Sequence, residues 1–579
     1  MIRKAACLLL AVLMMALSMA GCATNPGTSP VASASATAPG DVATDAPKTP
    51  SAAPDGGTDP FGKYDQTVTI SIGRGVDATE KLPDGDTPEN NQYTRYIKDK
   101  LNIQVTNAWQ AANGKDFDQK VNLSIASNDL PDGMTVNDTQ FRAMIRAGLI
   151  ADLKQAYETY ASPVMRQMFD STQGKAMENV TSEGKVLAMP NIPVPDDSYT
   201  VVWVRKDWLD KLGLKPPATL DDLKNIASEF IQKNPGALEQ GKTIGIAGPQ
   251  NGGHLYDTFL NSTNVTFGFD PVFTASGAYP GFWLDDGKGQ PVYGSILPAT
   301  KTALGLLADW YKQGLIDPQI GVRKDATEPV VGGQAGIFFG VWWQGYWPFP
   351  DAVKNTPTAN WQSYMLKDGK GVVNNHMGAI STVYSVVRKD YKNPEALIRM
   401  LNLLIQDEGT FDLSKGTIGN YPLRVAMASS DEMPVTRQAL ADTLNGKTKA
   451  SDYDDPKYSV YKLLKADVAA VGKTKNAPYD SLDISTWNTA DSNWPRMYSL
   501  LVGTNPFYTQ DVNKVYSMTY SQTPSMETKW SNLQKLEDET FLKIIMGAAP
   551  LSDFDTFVTN WKAQGGDEIT KEVAEFVKK

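Results

Sequence analysis

Seven aromatic side chains fall within twelve residues at Phe338, Phe339, Trp342, Trp343, Tyr346, Trp347 and Phe349. Sugars offer a C–H face that stacks on flat rings and a rim of hydroxyls that bond to carboxylates, amides and guanidinium groups. Rings beside planar polar groups are therefore what a sugar cleft needs. The patch follows a strand-like run and is broken by Gly340, Gly345 and Pro348, which predicts that several rings project from a loop at a sheet edge. Phe338 and Phe339 read as core, whereas Trp342, Trp343 and Trp347 read equally as core or as ligand rings. Trp109, just after a strand end, and Trp283, with Asp285 and Asp286 nearby, occupy loop positions that favour function. Arg205 and Asp207 could anchor hydroxyls where the chain passes between lobes, or form a local ion pair or cap. Trp487, Asp491, Trp494 and Arg496 form a late cluster that could close a cleft or simply pack on the surface. Trp203 and Trp208 read as structural.

Other chemistries find little material. The chain has two histidines, His254 and His376, far apart in sequence, and two cysteines, Cys7 and Cys22. Zinc sites and Ser-His-Asp machinery lack their usual residues, so no catalytic residue, metal ligand or cofactor is assigned. Asp84-Gly-Asp86 with Glu89 begins like a calcium loop but lacks the later Gly and Glu, and reads as a turn. A pair of Asp or Glu side chains on opposite cleft walls stays possible, so a surface-anchored glycoside hydrolase remains open, as does the binding subunit of a sugar sensor.

The elements that must position these residues show an α/β rhythm. Val68, Ile70 and Ile72 alternate with polar residues as in a half-buried strand, and Tyr93, Tyr96, Ile97 and Leu101 recur at helical spacing. A strand-like Ile103-Gln104-Val105 follows. Residues 200–204 read as a buried strand, and Thr219 as the cap of a helix burying Leu223, Ile226, Ala227 and Phe230. Leu304, Leu307, Ala308 and Tyr311 repeat the helical spacing before Gly314 and Pro318. Residues 336–341 and 382–387 read as strands. Asn393 is placed as cap and Pro394 as first residue of a helix burying Leu397, Met400, Leu401 and Leu404. Phe554, Phe557, Val558 and Trp561 make a late amphipathic helix, and residues 569–577 another.

At the start, Arg3 and Lys4 precede an apolar run over residues 5–19 and then Met19-Ala20-Gly21-Cys22, an export signal whose cysteine can carry a diacylglyceryl group. With Cys7 removed along with residues 1–21, no internal disulfide is possible and Cys22 is free for the lipid. Residues 22–63 are the lipidated cysteine and a disordered tether poor in apolar residues. Its reach is about 35 Å as a coil and about 140 Å at full stretch. Lys plus Arg number 55 against 65 Asp plus Glu; losing Arg3 and Lys4 leaves 53 against 65, a net charge of −12. Such an acidic body is a poor partner for nucleic acid. The remaining length predicts at least two lobes.

Four segments resemble the large oligosaccharide-binding branch of the family 1 extracellular solute-binding lipoproteins of carbohydrate ABC importers. They are Trp203-Val-Arg-Lys-Asp-Trp-Leu-Asp-Lys-Leu-Gly-Leu214 with Thr219-Leu-Asp-Asp-Leu223, Leu307-Ala-Asp-Trp-Tyr-Lys-Gln-Gly-Leu-Ile-Asp-Pro318, Gln334-Ala-Gly-Ile-Phe-Phe-Gly-Val-Trp-Trp343, and Trp561-Lys-Ala-Gln-Gly-Gly-Asp-Glu-Ile-Thr-Lys-Glu572. The resemblance implies a two-lobed periplasmic-binding-protein-like clamshell of type II, with mixed sheets flanked by helices and the ligand cleft between lobes. Lobe 1 would hold residues 64–200 and 378–450, and lobe 2 residues 201–377 and 451–579. It further implies a monomer that is not an enzyme, anchored by lipid at the outer face of the bacterial cytoplasmic membrane. There it would hand an oligosaccharide to the membrane permease subunits of an ABC importer. Relatives often carry an acidic calcium loop where this chain has residues 234–242, whose only carboxylate is Glu239, so no calcium is expected there.

Overall fold

Two sheets organise the chain, each assembled from strands distant in sequence. In the computed structural model, residues 57–77, 82–250, 252–260, 266–471, 484, 488–490 and 494–577 are described. The export signal, Cys22, most of the tether, Trp487 and Asp491 lie outside them. The first sheet joins β1 (Val68–Val76), β2 (Ile103–Ala112), β3 (Gly133–Asn137), β4 (Met189–Pro190) and β10 (Val383–Val387) in the order β2-β1-β3-β10-β4. β1 runs parallel to β2 and β3, and β10 runs antiparallel to β3 and β4. The helix Gln92–Leu101 (α1) is capped by Asn91, whose side chain accepts the Tyr93 and Thr94 amides. It buries Tyr93, Ile97 and Leu101, as their spacing predicts.

The second sheet joins β5 (Thr200–Arg205), β6 (Ile244–Ala247), β7 (Ala335–Val341) and β8 (Trp361–Tyr364) in the order β8-β5-β7-β6. Its central strands are buried throughout because both faces are covered. Val202, Val204, Ile337 and Phe339 enter one core cluster, while Val201, Trp203 and Phe338 enter another. Phe338 and Phe339 are core, as read. The helix Leu220–Lys233 (α2) starts with a reciprocal capping pair, Thr219 and Asp222. The helix Glu395–Asp407 (α3) buries the four expected residues, but Asn393 does not cap it: Pro394 holds that place and Asn393 offers only its carbonyl to the Ala396 amide.

The chain passes between the two lobes in the segments 191–199, 378–382 and 426–432. Asn191 staples the first two together, its Oδ1 accepting the Thr382 and Val383 amides at 2.8 and 3.0 Å. β9 (Val373–Met377) leads into the second crossing and pairs in parallel with β11 (Val512–Tyr516). Two borders differ from expectation. Residues 57–63 were assigned to the tether, yet Arg399 Nη2 donates to the Gly57 carbonyl at 2.8 Å and Asn402 to that of Pro60 at 3.1 Å, docking them on α3. The helix Glu432–Leu444 (α4), placed by sequence in lobe 1, buries Met433, Ala439 and Leu440 in the cluster that contains Trp203 and Phe338.

Candidate functional site

β7 ends at Val341, which pairs with Thr200, the first residue of β5 after the crossing. The aromatic loop that follows β7 therefore emerges beside the crossing, at a strand-end position where α/β sheets hold ligands. Trp342–Gly345 forms a tight helical turn. It is braced by the helix Trp494–Tyr498 (α5) and the segment after it: a Cβ on Gly345 would lie 2.4 Å from the Pro495 carbonyl, and one on Gly503 would lie 2.0 Å from that of Trp342. Only glycine fits at either contact, which is why the rings of this loop are interrupted.

The braced turn presents its rings unequally. Trp342 is half-buried and its indole donates to Asp197 Oδ1 at 2.9 Å, on the crossing segment. Burial pushes the Asp197 carboxyl up to about 6, partly offset by that indole. Trp343 is half-buried, whereas Tyr346 and Trp347 are 49% and 44% exposed. Trp347 packs edge-on against Phe267, with ring centroids 6.2 Å apart. A large exposed ring held by a rigid turn costs little to order and is a ready stacking surface.

The other expected site residues separate. Trp494 is buried in the core against Tyr498, and Arg496 is held by the buried Asp467 carboxylate at 3.3 Å. The Pro495 carbonyl between them meets Gly345 of the aromatic turn. Trp283 was expected to be a loop ring but is fully buried among Tyr293, Trp530 and Trp561, because β-pairing of Trp283–Asp285 with Pro291–Tyr293 turns it into the core. Arg205 and Asp207 do form an ion pair, at 2.6 Å, but not at the crossing. β5 enters from the crossing at Thr200, so Arg205 sits at its far end, its guanidinium over Trp208 at 4.6 Å. Trp109 was expected just after a strand end but lies within β2, because pairing with β1 carries that strand on to Ala112; it is half-buried, its ring over Gly73 and 5.6 Å from that of Phe117.

Sequence reading missed several groups. Asp196 and Asp197 occupy one turn of the crossing, and their side chains serve different elements: Asp197 meets Trp342, and Asp196 accepts the Tyr508 hydroxyl at 2.7 Å. Burial pushes Asp196 up to about 6 as well. A cavity of about 500 Å³ lies on the Asp196 side, bounded by all three crossings and by Lys175, Tyr199, Tyr508 and Lys514, with no ring of the aromatic loop in its wall. Two carboxylates between Pro193, Pro195 and a buried strand were the available signal. In lobe 1, Arg74 and Asn113 stand at the ends of β1 and β2, and a charged residue between two glycines of a strand was the sign there.

The profile of the bacterial extracellular solute-binding protein family matches residues 82–411. The chain belongs to that family. The polygalacturonan/rhamnogalacturonan-binding protein YtcQ of Bacillus subtilis is 22% identical to this solute-binding protein over 513 residues, spanning 85% of this chain and 89% of that one. Among solved structures, an HMO-binding, ABC-transporter-associated solute-binding protein from Bifidobacterium longum infantis aligns with a TM-score of 0.60 at 15% identity, over 89% of this chain and 99% of that one. The Streptococcus pneumoniae ABC-transporter substrate-binding protein FusA in complex with kestose aligns with a TM-score of 0.54 at 14% identity, over 88% and 99%. The fold of this solute-binding protein is the two-lobed clamshell of those structures, and its relatives are binding proteins. No helix among the described residues is long and apolar enough to cross a membrane.

In this solute-binding protein the stretch 234–242 is tied by its own amide. Asn234 Oδ1 accepts the Leu238 amide at 3.0 Å and the Thr243 hydroxyl at 2.8 Å, and its Nδ2 donates to the Leu238 carbonyl at 2.7 Å. A side-chain amide thus organises the turn by hydrogen bonds.

Proposed function

We propose that this chain captures an oligosaccharide outside the cell and releases it, unaltered, to the permease subunits of an ABC importer. The observation that carries the reading is the pair of exposed rings, Tyr346 and Trp347, on a turn braced by Gly345 and Gly503 beside the crossing. A sugar stacked there leaves its hydroxyl rim free to meet the opposite lobe, and closure of the lobes over it buries both faces. Tyr346 and Trp347, with Trp109, Trp342 and Trp343, are the rings assigned to this task. Binding of polygalacturonan and rhamnogalacturonan by YtcQ and of kestose by FusA supports it.

Binding without turnover is supported by the relatives, since YtcQ and FusA are binding proteins. The protein is taken to act as a monomer on a lipid anchor at Cys22, at the outer face of the cytoplasmic membrane. Calorimetric titration with a panel of oligosaccharides tests the reading, together with an assay for new reducing ends. Saturable binding with no new ends is expected; turnover, or no sugar bound, would overturn it.

A further inference from the structure

Near the C-terminal end of β1, lobe 1 buries a cation that is not fully paired. Arg74, between Gly73 and Gly75, is only 5% exposed. Its Nη2 donates to the Asn420 carbonyl at 3.1 Å, while Nη1 is buried without a partner. Among the described residues no carboxylate is in ion-pair contact with it, and Glu89 acts on it only through space. Burying an ion without its counter-charge is unfavourable, and here it pulls the guanidinium down to about 10.

Arg74 borders a pocket of about 130 Å³ shared with Asn113, Phe117, Thr135, Gly419 and Arg424. Arg424 is held by Glu408 at 3.0 Å, and its Nε is also buried and partnerless. Asn113 is exposed and the Phe117 ring half-buried. A Cβ on Gly75 would lie 2.2 Å from Asn113 Oδ1, so the glycine is what lets this amide sit beside Arg74. An amide, an unsatisfied guanidinium N–H and a flat ring around so small a space match a sugar that carries a planar anion.

We infer that this pocket takes the carboxylate of a uronate residue, so that the captured sugar is an acidic oligosaccharide. The inference rests on the sugar-binding reading above and names the ligand class of that reading. Arg74 would supply Nη1–H to one carboxylate oxygen and Asn113 its amide to the other, while Phe117 meets the sugar's C–H face.

The test titrates the full chain with oligomers of galacturonate, glucuronate and mannuronate, with their methyl esters, with neutral oligosaccharides and with a sulfated galactan oligomer. At least one uronate oligomer should bind, and methyl esterification, which removes the charge and keeps the shape, should weaken it about tenfold or more. Arg74→Gln should abolish the preference for acid over ester, and Arg74→Lys should restore part of it. Equal affinity of the unaltered protein for acid and ester would overturn the inference whether or not the variants fold. Tight binding of neutral sugars alone would overturn it and leave the sugar-binding reading standing; failure to bind any sugar would overturn both. Preference for the sulfated oligomer would overturn the carboxylate assignment.

Discussion

Arg146 and Glu527 meet at 2.6 Å although 381 residues separate them in the chain. Arg146 closes the helix Asp138–Arg146 that follows β3 in lobe 1, and Glu527 lies in the first turn of the helix Pro524–Ile545, which packs in the core of lobe 2. Thr139 and Gln522 bond across the same interface at 3.0 Å. These contacts bridge the two lobes at the spacing seen here.

Charge reversal at Arg146→Glu should therefore favour more open lobes. Both side chains are partly exposed, so the pair contributes no more than about 1 kcal/mol, and sugar affinity should fall about fivefold or less. Small-angle scattering would show a larger radius of gyration without ligand. The double exchange Arg146→Glu with Glu527→Arg should recover both properties; an unchanged radius in the single variant would contradict the account.

Ring exposure divides the tryptophans into two groups. Trp347→Ala should weaken sugar binding about tenfold and leave the melting temperature within a few degrees, since its ring is 44% exposed. Trp283→Ala, which opens a hole among Tyr293, Trp530 and Trp561, should cost about 3–5 kcal/mol of stability. Thermal unfolding and calorimetric titration of both variants decide it.

The braced turn makes a sharper case. Gly345→Ala places a methyl group against the Pro495 carbonyl and the Ser499 hydroxyl, with little room for either to move. Stability should drop by about 1–3 kcal/mol and sugar affinity should fall with it, because the rings of the loop lose their support. Retained affinity in a less stable protein would show that the loop does not depend on this contact.

Stability should also depend on pH through a buried carboxyl far from the rings. Glu537 is fully buried, accepts hydrogen bonds from Tyr256 and Ser295, and is pushed by burial up to about 7. A carboxyl raised in the folded state holds its proton where the unfolded chain has lost it. The stability it contributes is complete below the ordinary carboxylate range and is lost as pH rises through about 7. Asp257, buried and likewise raised to about 7, adds in the same direction. The melting temperature should fall between pH 5 and about pH 7.5, and Glu537→Gln, which keeps an acceptor and cannot ionise, should flatten that slope.

Much of this protein was written in local patterns. The alternation of Val68, Ile70 and Ile72, the Thr219 cap, the spacing of Leu397, Met400, Leu401 and Leu404 and the Gly- and Pro-broken ring loop each state a local preference, and the structure follows them because packing and local propensity agree. What the pattern could not state is where a side chain ends up once distant strands pair. Trp283 and Trp347 look alike in sequence, but the strand containing Trp283 folds onto a neighbouring strand and against the helix Pro524–Ile545, while Trp347 stays on the surface. Arg205 and Asp207 were legible as an ion pair, yet the direction of β5, set by its antiparallel pairing with β7, carries them away from the crossing. Arg74 became notable only when the residues 418–424 folded over β1 and took one of its nitrogens, leaving the other buried and unmatched. Period and capping act over a few residues and can be read along the chain. Burial and charge balance depend on partners brought together from hundreds of residues apart, and only the folded arrangement supplies them.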